Sequence, residues 1–114
     1  MDRQEQRPGT EIDNNPLTRA IIDALRLIYD PEIPVNIYDL GLIYRIAVNE
    51  YGSAHVQMTL TAPACPVAET FPGIVETAIR SIPGVRDVDV ELVWDPPWSE
   101  ERMSDEAKRE IGIL

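Results

Sequence analysis

The one thiol of the chain, Cys65, lies in Leu60-Thr61-Ala62-Pro63-Ala64-Cys65-Pro66, between a strand-like and a helix-like pattern. Pro63 and Pro66 bracket it. Proline cannot donate to a sheet ladder, yet it suits the first turn of a helix. The spacing therefore predicts a strand-to-helix turn, with the N–H groups of a helix start near the sulfur. An electropositive helix start favours the thiolate, the form that attacks electrophiles and ligates metals. The plainer alternative for a lone cysteine is a small apolar side chain that fills a gap in a core.

Carboxylates gather in a second stretch, Asp30-Pro31-Glu32-Ile33-Pro34-Val35-Asn36-Ile37-Tyr38-Asp39-Leu40-Gly41. Asp30, Glu32 and Asp39 are oxygen ligands of the kind that suits hard cations. Short aspartates also close turns on free backbone N–H groups, and for Asp30 and Asp39 that is the simpler expectation. The two prolines exclude a regular helix, while Ile33, Val35, Ile37 and Leu40 should pack, so a structured loop is expected. The only imidazole, His55, falls on the polar side of a strand, six positions before Thr61. At about 3.3 Å per residue that holds it away from Cys65, and no oxyanion motif accompanies the thiol. A cysteine enzyme, with Asp39 or His55 assisting, therefore ranks last among the readings.

The bulk of the chain narrows the classes further. Its 114 residues, 44% of them hydrophobic, suffice for one domain around one core. Twenty acidic against ten basic residues, a net charge of −10, argue against nucleic acid and anionic membrane surfaces as partners. No apolar run approaches the roughly 18 residues of a membrane span, and the polar N-terminus lacks a signal-peptide core. A single cysteine excludes an internal disulfide, which makes the cytoplasm the expected address.

The elements that must position these residues follow in order. Residues 1–14, polar and aperiodic, are expected to be a flexible tail ahead of a domain at 15–114. Asn15-Pro16 then supplies an N-cap and a first-turn proline. Leu17, Ala20, Ile21, Ala24, Leu25 and Ile28 form a helical stripe, which should end near Tyr29 because Pro31 disfavours helical geometry at Asp30. Leu42, Tyr44, Ile46 and Val48 alternate as a strand. After a hairpin at Glu50-Tyr51-Gly52-Ser53, a second strand sets Ala54, Val56, Met58 and Leu60 against His55, Gln57, Thr59 and Thr61. A second helix spans Val67 to Ile82; Pro72-Gly73 implies either an irregular first turn or a kink. Val88, Val90, Leu92 and Trp94 point inward from a third strand, with Asp87, Asp89 and Glu91 in solvent. Trp94-Asp95-Pro96-Pro97-Trp98 either anchors a partner or covers the end of the core, the second being simpler. Ser104 caps a short last helix whose charges follow its dipole, and Gly112 stops it.

This order predicts an α+β domain, a two-layer α/β sandwich of helix–strand–strand–helix–strand–short helix, with a small mixed sheet covered by helices on one face. The exposed last strand is a candidate for pairing between subunits, which favours a homodimer.

Three stretches in this order, the one from Asp30 to Gly41 continuing through Leu42-Ile43-Tyr44, Met58 to Pro66, and Trp94 to Trp98, resemble the small iron–sulfur cluster assembly domain family. Its branches include SufT-like and PaaD-like proteins, and Trp94-Asp95-Pro96-Pro97-Trp98 followed by Arg102-Met103-Ser104 is most similar to the SufT branch. The resemblance covers Leu17 to Leu114. It implies an accessory factor in iron–sulfur cluster assembly or client maturation, not an enzyme, working with the assembly machinery and apoprotein clients. It places the family's cysteine on Cys65, a candidate iron or cluster ligand. The family's acidic positions fall on Asp30, Glu32 and Asp39, and its threonines on Thr59 and Thr61. Trp94 and Trp98 lie in its third motif.

Ligand chemistry limits what such a factor can hold. A complete cluster typically takes four thiolates, and one chain offers one. A stably bound, single-chain centre is excluded, whereas a transient iron or cluster shared with a second subunit or a client is compatible. Two alternatives stand beside this reading. One is a pure interaction adaptor with a structural Cys65; the other is a subunit-maturation protein of a phenylacetate-type oxygenase pathway.

Overall fold

The structure, a computed structural model, describes residues 11–12, 15–30, 33–61 and 67–112. Cys65, Glu32 and most of the expected N-terminal tail lie outside the described residues. The Asn15 side chain accepts the Leu17 N–H at 2.9 Å and starts helix α1, Pro16–Leu25. Its inward face is Thr18, Ile21, Ile22 and Leu25. The helix stops before the expected Tyr29. Leu27 and Ile28 donate to Ala24 and Leu25 in a tightened last turn; the Ile28 carbonyl then accepts Ile37 N–H at 2.8 Å, and Tyr29 bridges to Asn36. A non-local pairing, invisible to local spacing, thus ends the helix ahead of Pro31.

The bend that follows closes on a one-turn helix α2, Ile37–Leu40, capped by Asn36 and ended by Gly41 at φ 89°. Val35, Ile37 and Leu40 are fully buried, as expected of a structured loop. Strands β2 (Ile43–Val48) and β3 (Ser53–Met58) form the antiparallel hairpin, and α3 (Val67–Arg80) crosses over to β4 (Asp87–Leu92), parallel to β3. A parallel neighbour requires such a crossover. Helix α3 runs unbroken through Pro72.

The sheet holds one strand more than the sequence predicts, a short first strand β1 (Glu11–Ile12), in the order β1-β2-β3-β4. Its residues Glu11 and Ile12 pair in parallel with Arg45 and Ile46 of β2. The flexible-tail expectation is therefore corrected at these two residues. Their pairing takes up part of the outer edge of β2, and Ile12 packs against the core. Ala54, Val56, Met58 and Leu60 are buried, in line with the alternation. In β2 a register shift between Ile43 and Arg45 buries both Ile43 and Tyr44. Trp94 does not continue the inward row, because β4 ends at Leu92 and the indole is exposed.

Helices α1 and α3 pack on each other and on the sheet, on the side of Val56, Met58 and Val90. The C-terminal segment then returns across α2 through a 3-10 turn, Glu100–Arg102, and helix α4, Asp105–Glu110. It buries Met103 and Ala107 in the same core. Tyr44 Oη donates to the Pro96 carbonyl at 2.7 Å, and the Arg102 guanidinium lies 4.3 Å from the Tyr44 ring centre. No described helix is long and apolar enough to cross a membrane.

Gly41 is where this return is tightest. A Cβ there would lie 2.3 Å from the Arg102 carbonyl oxygen, on a backbone already at positive φ. Gly41→Ala is expected to lower stability by more than about 2 kcal/mol. Gly73, in α3, has open space at its Cβ position, so Gly73→Ala should raise stability by about 0.5–1 kcal/mol. Urea unfolding midpoints of the two variants check both signs.

Burial holds the Tyr44 phenol above its ordinary value of 10.0, with Arg102 pulling in the opposite direction. The unfolded chain therefore loses this proton first as pH rises. The Tyr44 contribution is whole below pH 10.0 and is lost as pH climbs through the raised folded value. Denaturation midpoints measured across that window should fall more steeply for the wild type than for Tyr44→Phe.

Candidate functional site

Hydrogen bonds from three directions converge on the backbone of residues 39–42. Trp98 Nε1 donates to the Leu40 carbonyl at 2.7 Å, and the Ser104 N–H donates to the Asp39 carbonyl at 2.9 Å. From the end of β3, the Thr59 N–H donates to the Leu42 carbonyl at 2.9 Å. The fold thus brings Asp39, Thr59 and Trp98 of the sequence-predicted set to one short stretch. Trp98 is half-buried, which fits the covering role, whereas Trp94 keeps 41% of its surface exposed.

The two described carboxylates of the loop are engaged in structure. Asp30 is buried, and its Oδ2 accepts the Ile33 N–H at 2.8 Å, the turn expected of it. Asp39 instead sits in the first turn of α2 and exchanges bonds with the cap. Its N–H donates to Asn36 Oδ1 at 2.9 Å, and Asn36 Nδ2 donates back to Asp39 Oδ2 at 2.8 Å. Arg26 Nε stands 3.6 Å from the same oxygen, while its guanidinium lies 5.0 Å from the Tyr38 ring centre. Reciprocal bonding between the cap and the third helical residue is the logic of a capping box. The Asn36-x-x-Asp39 spacing carried that signal. Arg26 had no comparable one, since it reaches Asp39 only through the early end of α1.

Thr59 behaves differently. It is fully buried, and its Oγ1 is the one buried side-chain polar atom among the described residues without a hydrogen-bond partner. Leaving a hydroxyl so placed costs about 1–3 kcal/mol, which makes it an exception that calls for a reason. Strand alternation put Thr59 on the polar side. Its burial arises where β3 ends, with Leu42 bonded to Thr59 and the Val93 N–H bonded to the Met58 carbonyl. Thr61 follows, half-buried, one residue before the stretch 62–66 that is outside the described residues.

His55 belongs elsewhere. It lies on β3 between Asp89 and Glu91 of β4, Nδ1 2.9 Å from Asp89 Oδ2 and Nε2 3.2 Å from Glu91 Oε1. The two carboxylates take opposite sides of the ring, and no three His, Cys, Asp or Glu side chains converge on a metal-sized site among the described residues.

Comparison with known proteins bears on what this arrangement serves. A family model described as "Iron-sulfur cluster assembly protein" matches residues 18–92. A Porphyromonas gingivalis protein named "Fe-S protein maturation auxiliary factor" is 48% identical over 94 residues, 82% of this chain and 90% of that protein. The Staphylococcus aureus "Fe-S protein maturation auxiliary factor SufT" is 38% identical over 87 residues, 76% of this chain and 99% of the relative. A crystal structure of a domain of unknown function, DUF59, from Bacillus anthracis superposes with a TM-score of 0.78 at 37% identity, covering 84% of this chain and 92% of that one.

The unpartnered hydroxyl makes a measurable claim. Valine keeps the branched shape of Thr59 and replaces the oxygen by a methyl group. Thr59→Val is expected to stabilise the fold by about 1 kcal/mol, read as a higher urea midpoint.

Proposed function

The chain belongs to the iron–sulfur cluster assembly protein family, and from that premise we propose that it passes iron or an iron–sulfur cluster to client apoproteins through Cys65. Its role is that of an accessory factor in the maturation of iron–sulfur proteins. The cluster is cargo. One thiolate per chain supplies too few ligands to retain it, and a weakly held cluster leaves readily for a client with a fuller set. In this reading two copies of the chain, or one copy and a client, complete the ligand set between them. The factor works in the cytoplasm as a homodimer, without catalysing a reaction of its own, beside the assembly machinery.

The observation that carries the proposal is the buried, unpartnered Thr59 hydroxyl at the end of β3, six residues ahead of Cys65 in the chain. A fold that keeps a costly polar atom there has a use for it, and a hydrogen bond to a loaded sulfur or to an incoming ligand supplies one. Thr61, Asp30, Glu32 and Asp39 are assigned to the same site. Asp30 and Asp39 act by shaping the loop, given their structural hydrogen bonds, and Trp98 by covering its far side. The exposed Trp94 favours a second component, contact with a partner, which is all that an adaptor reading would retain.

Anaerobic reconstitution with iron and sulfide, on wild type and Cys65→Ser, tests the proposal. Serine nearly preserves the shape of cysteine, but its hydroxyl stays protonated near neutral pH and is a poor ligand. The wild type should develop cluster absorbance and a native mass of two chains plus cluster; the variant should keep its circular dichroism and bind none. The thiol should alkylate faster than a model thiol of pKa about 8.5. Slow alkylation, together with unchanged client maturation by the serine variant, would remove the ligand role and leave the adaptor.

A further inference from the structure

Strand β4 is the last strand of the sheet, and no strand among the described residues pairs with its outer edge. On the face turned away from α1 and α3 it presents Asp87, Asp89 and Glu91, in register with Ser53, His55 and Gln57 of β3. Ser53 Oγ donates to Asp87 Oδ2 at 3.4 Å, and Gln57 Nε2 donates to Glu91 Oε1 at 3.2 Å. His55 is the only ionisable side chain paired with this row among the described residues. The Asp89 and Glu91 side chains stay 77% and 50% exposed.

An open edge accepts a strand, and the side chains along it choose which. A second copy pairing through β4, as the sequence suggests, would bring one carboxylate row beside another at cross-strand distances of about 5 Å, where like charges destabilise, so the proposed homodimer is built on another surface. A segment with cations at alternate positions meets the opposite condition, because its period matches that of the row. Docked beside β4, such a segment sets its cations about 5 Å from Asp87, Asp89 and Glu91 on the same face. We propose that the outer edge of β4 docks an extended segment of a partner protein with Arg or Lys at every second residue. The inference rests on the maturation reading only for who that partner is, a client or a member of the assembly machinery.

The test titrates the isotope-labelled full chain, free of iron, with a short blocked peptide of alternating arginine and valine, followed by amide shifts. Shifts should concentrate on β4 and β3, and the affinity should fall by about tenfold or more in D87N/D89N/E91Q or on raising salt from low to high. A peptide with glutamine in place of arginine should bind far more weakly. Equal binding of the glutamine peptide overturns the proposal, as do arginine-peptide shifts away from β4. It is equally overturned by β4 shifts that follow protein concentration alone, which mark a second copy on the edge. Should the triple variant fail to fold, the glutamine peptide and the salt series on wild type decide. Because neither peptide nor sample carries iron, a negative result leaves Cys65 as cargo ligand untouched, and failed reconstitution leaves this edge untouched.

Discussion

Close approach of two backbones at Gly41 governs the architecture of the candidate site. Only a residue without Cβ lets the Arg102 carbonyl come so near. Once that approach is made, Trp98 and Ser104 reach the carbonyls of Leu40 and Asp39, and Met103 and Ala107 enter the core. The carboxylate-bearing loop is thereby clamped between α1, through Arg26 and Ile28, and the C-terminal return. Asp30 and Asp39 shape the loop, while the hydroxyl at the end of β3 is left without a partner. Rigidity and an unmet hydrogen bond lie side by side.

What the sequence discloses and what it conceals divide along local and non-local lines. The start of α1 is legible because Asn15 and Pro16 act within one turn. Its end is not, since the stop comes from Ile37 and Asn36, distant in sequence. Strand β1 is too short to show a period, and only its partner β2 defines it. At the site, the Asp30 turn and the Asn36–Asp39 exchange can be read from spacing. The position of Arg26 over Tyr38 and beside Asp39 needs the whole fold. Thr59 misleads because alternation assigns a face, and burial at a strand end is decided by what else arrives there.

The two faces of the sheet carry different burdens. One is apolar and packs against α1 and α3, so changes there act through stability. The other is polar, and the acidic side chains of β4 stand exposed on it. On β4 three acidic side chains coincide with a strand edge that no strand among the described residues pairs, where charge selects what can approach.

Strand β1 adds an asymmetry. By pairing with Arg45 and Ile46 it occupies the middle of one sheet edge, and among the described residues no strand covers β4 at the other. Polymerisation through strand pairing needs two accepting edges on each unit, so that every unit added exposes another. A sheet with one edge partly covered and the other lined by carboxylates disfavours addition of further copies, because each would bring like charges together. An extended partner docked on β4 would then meet an edge whose charges discourage self-addition, so that binding does not also favour a fibre.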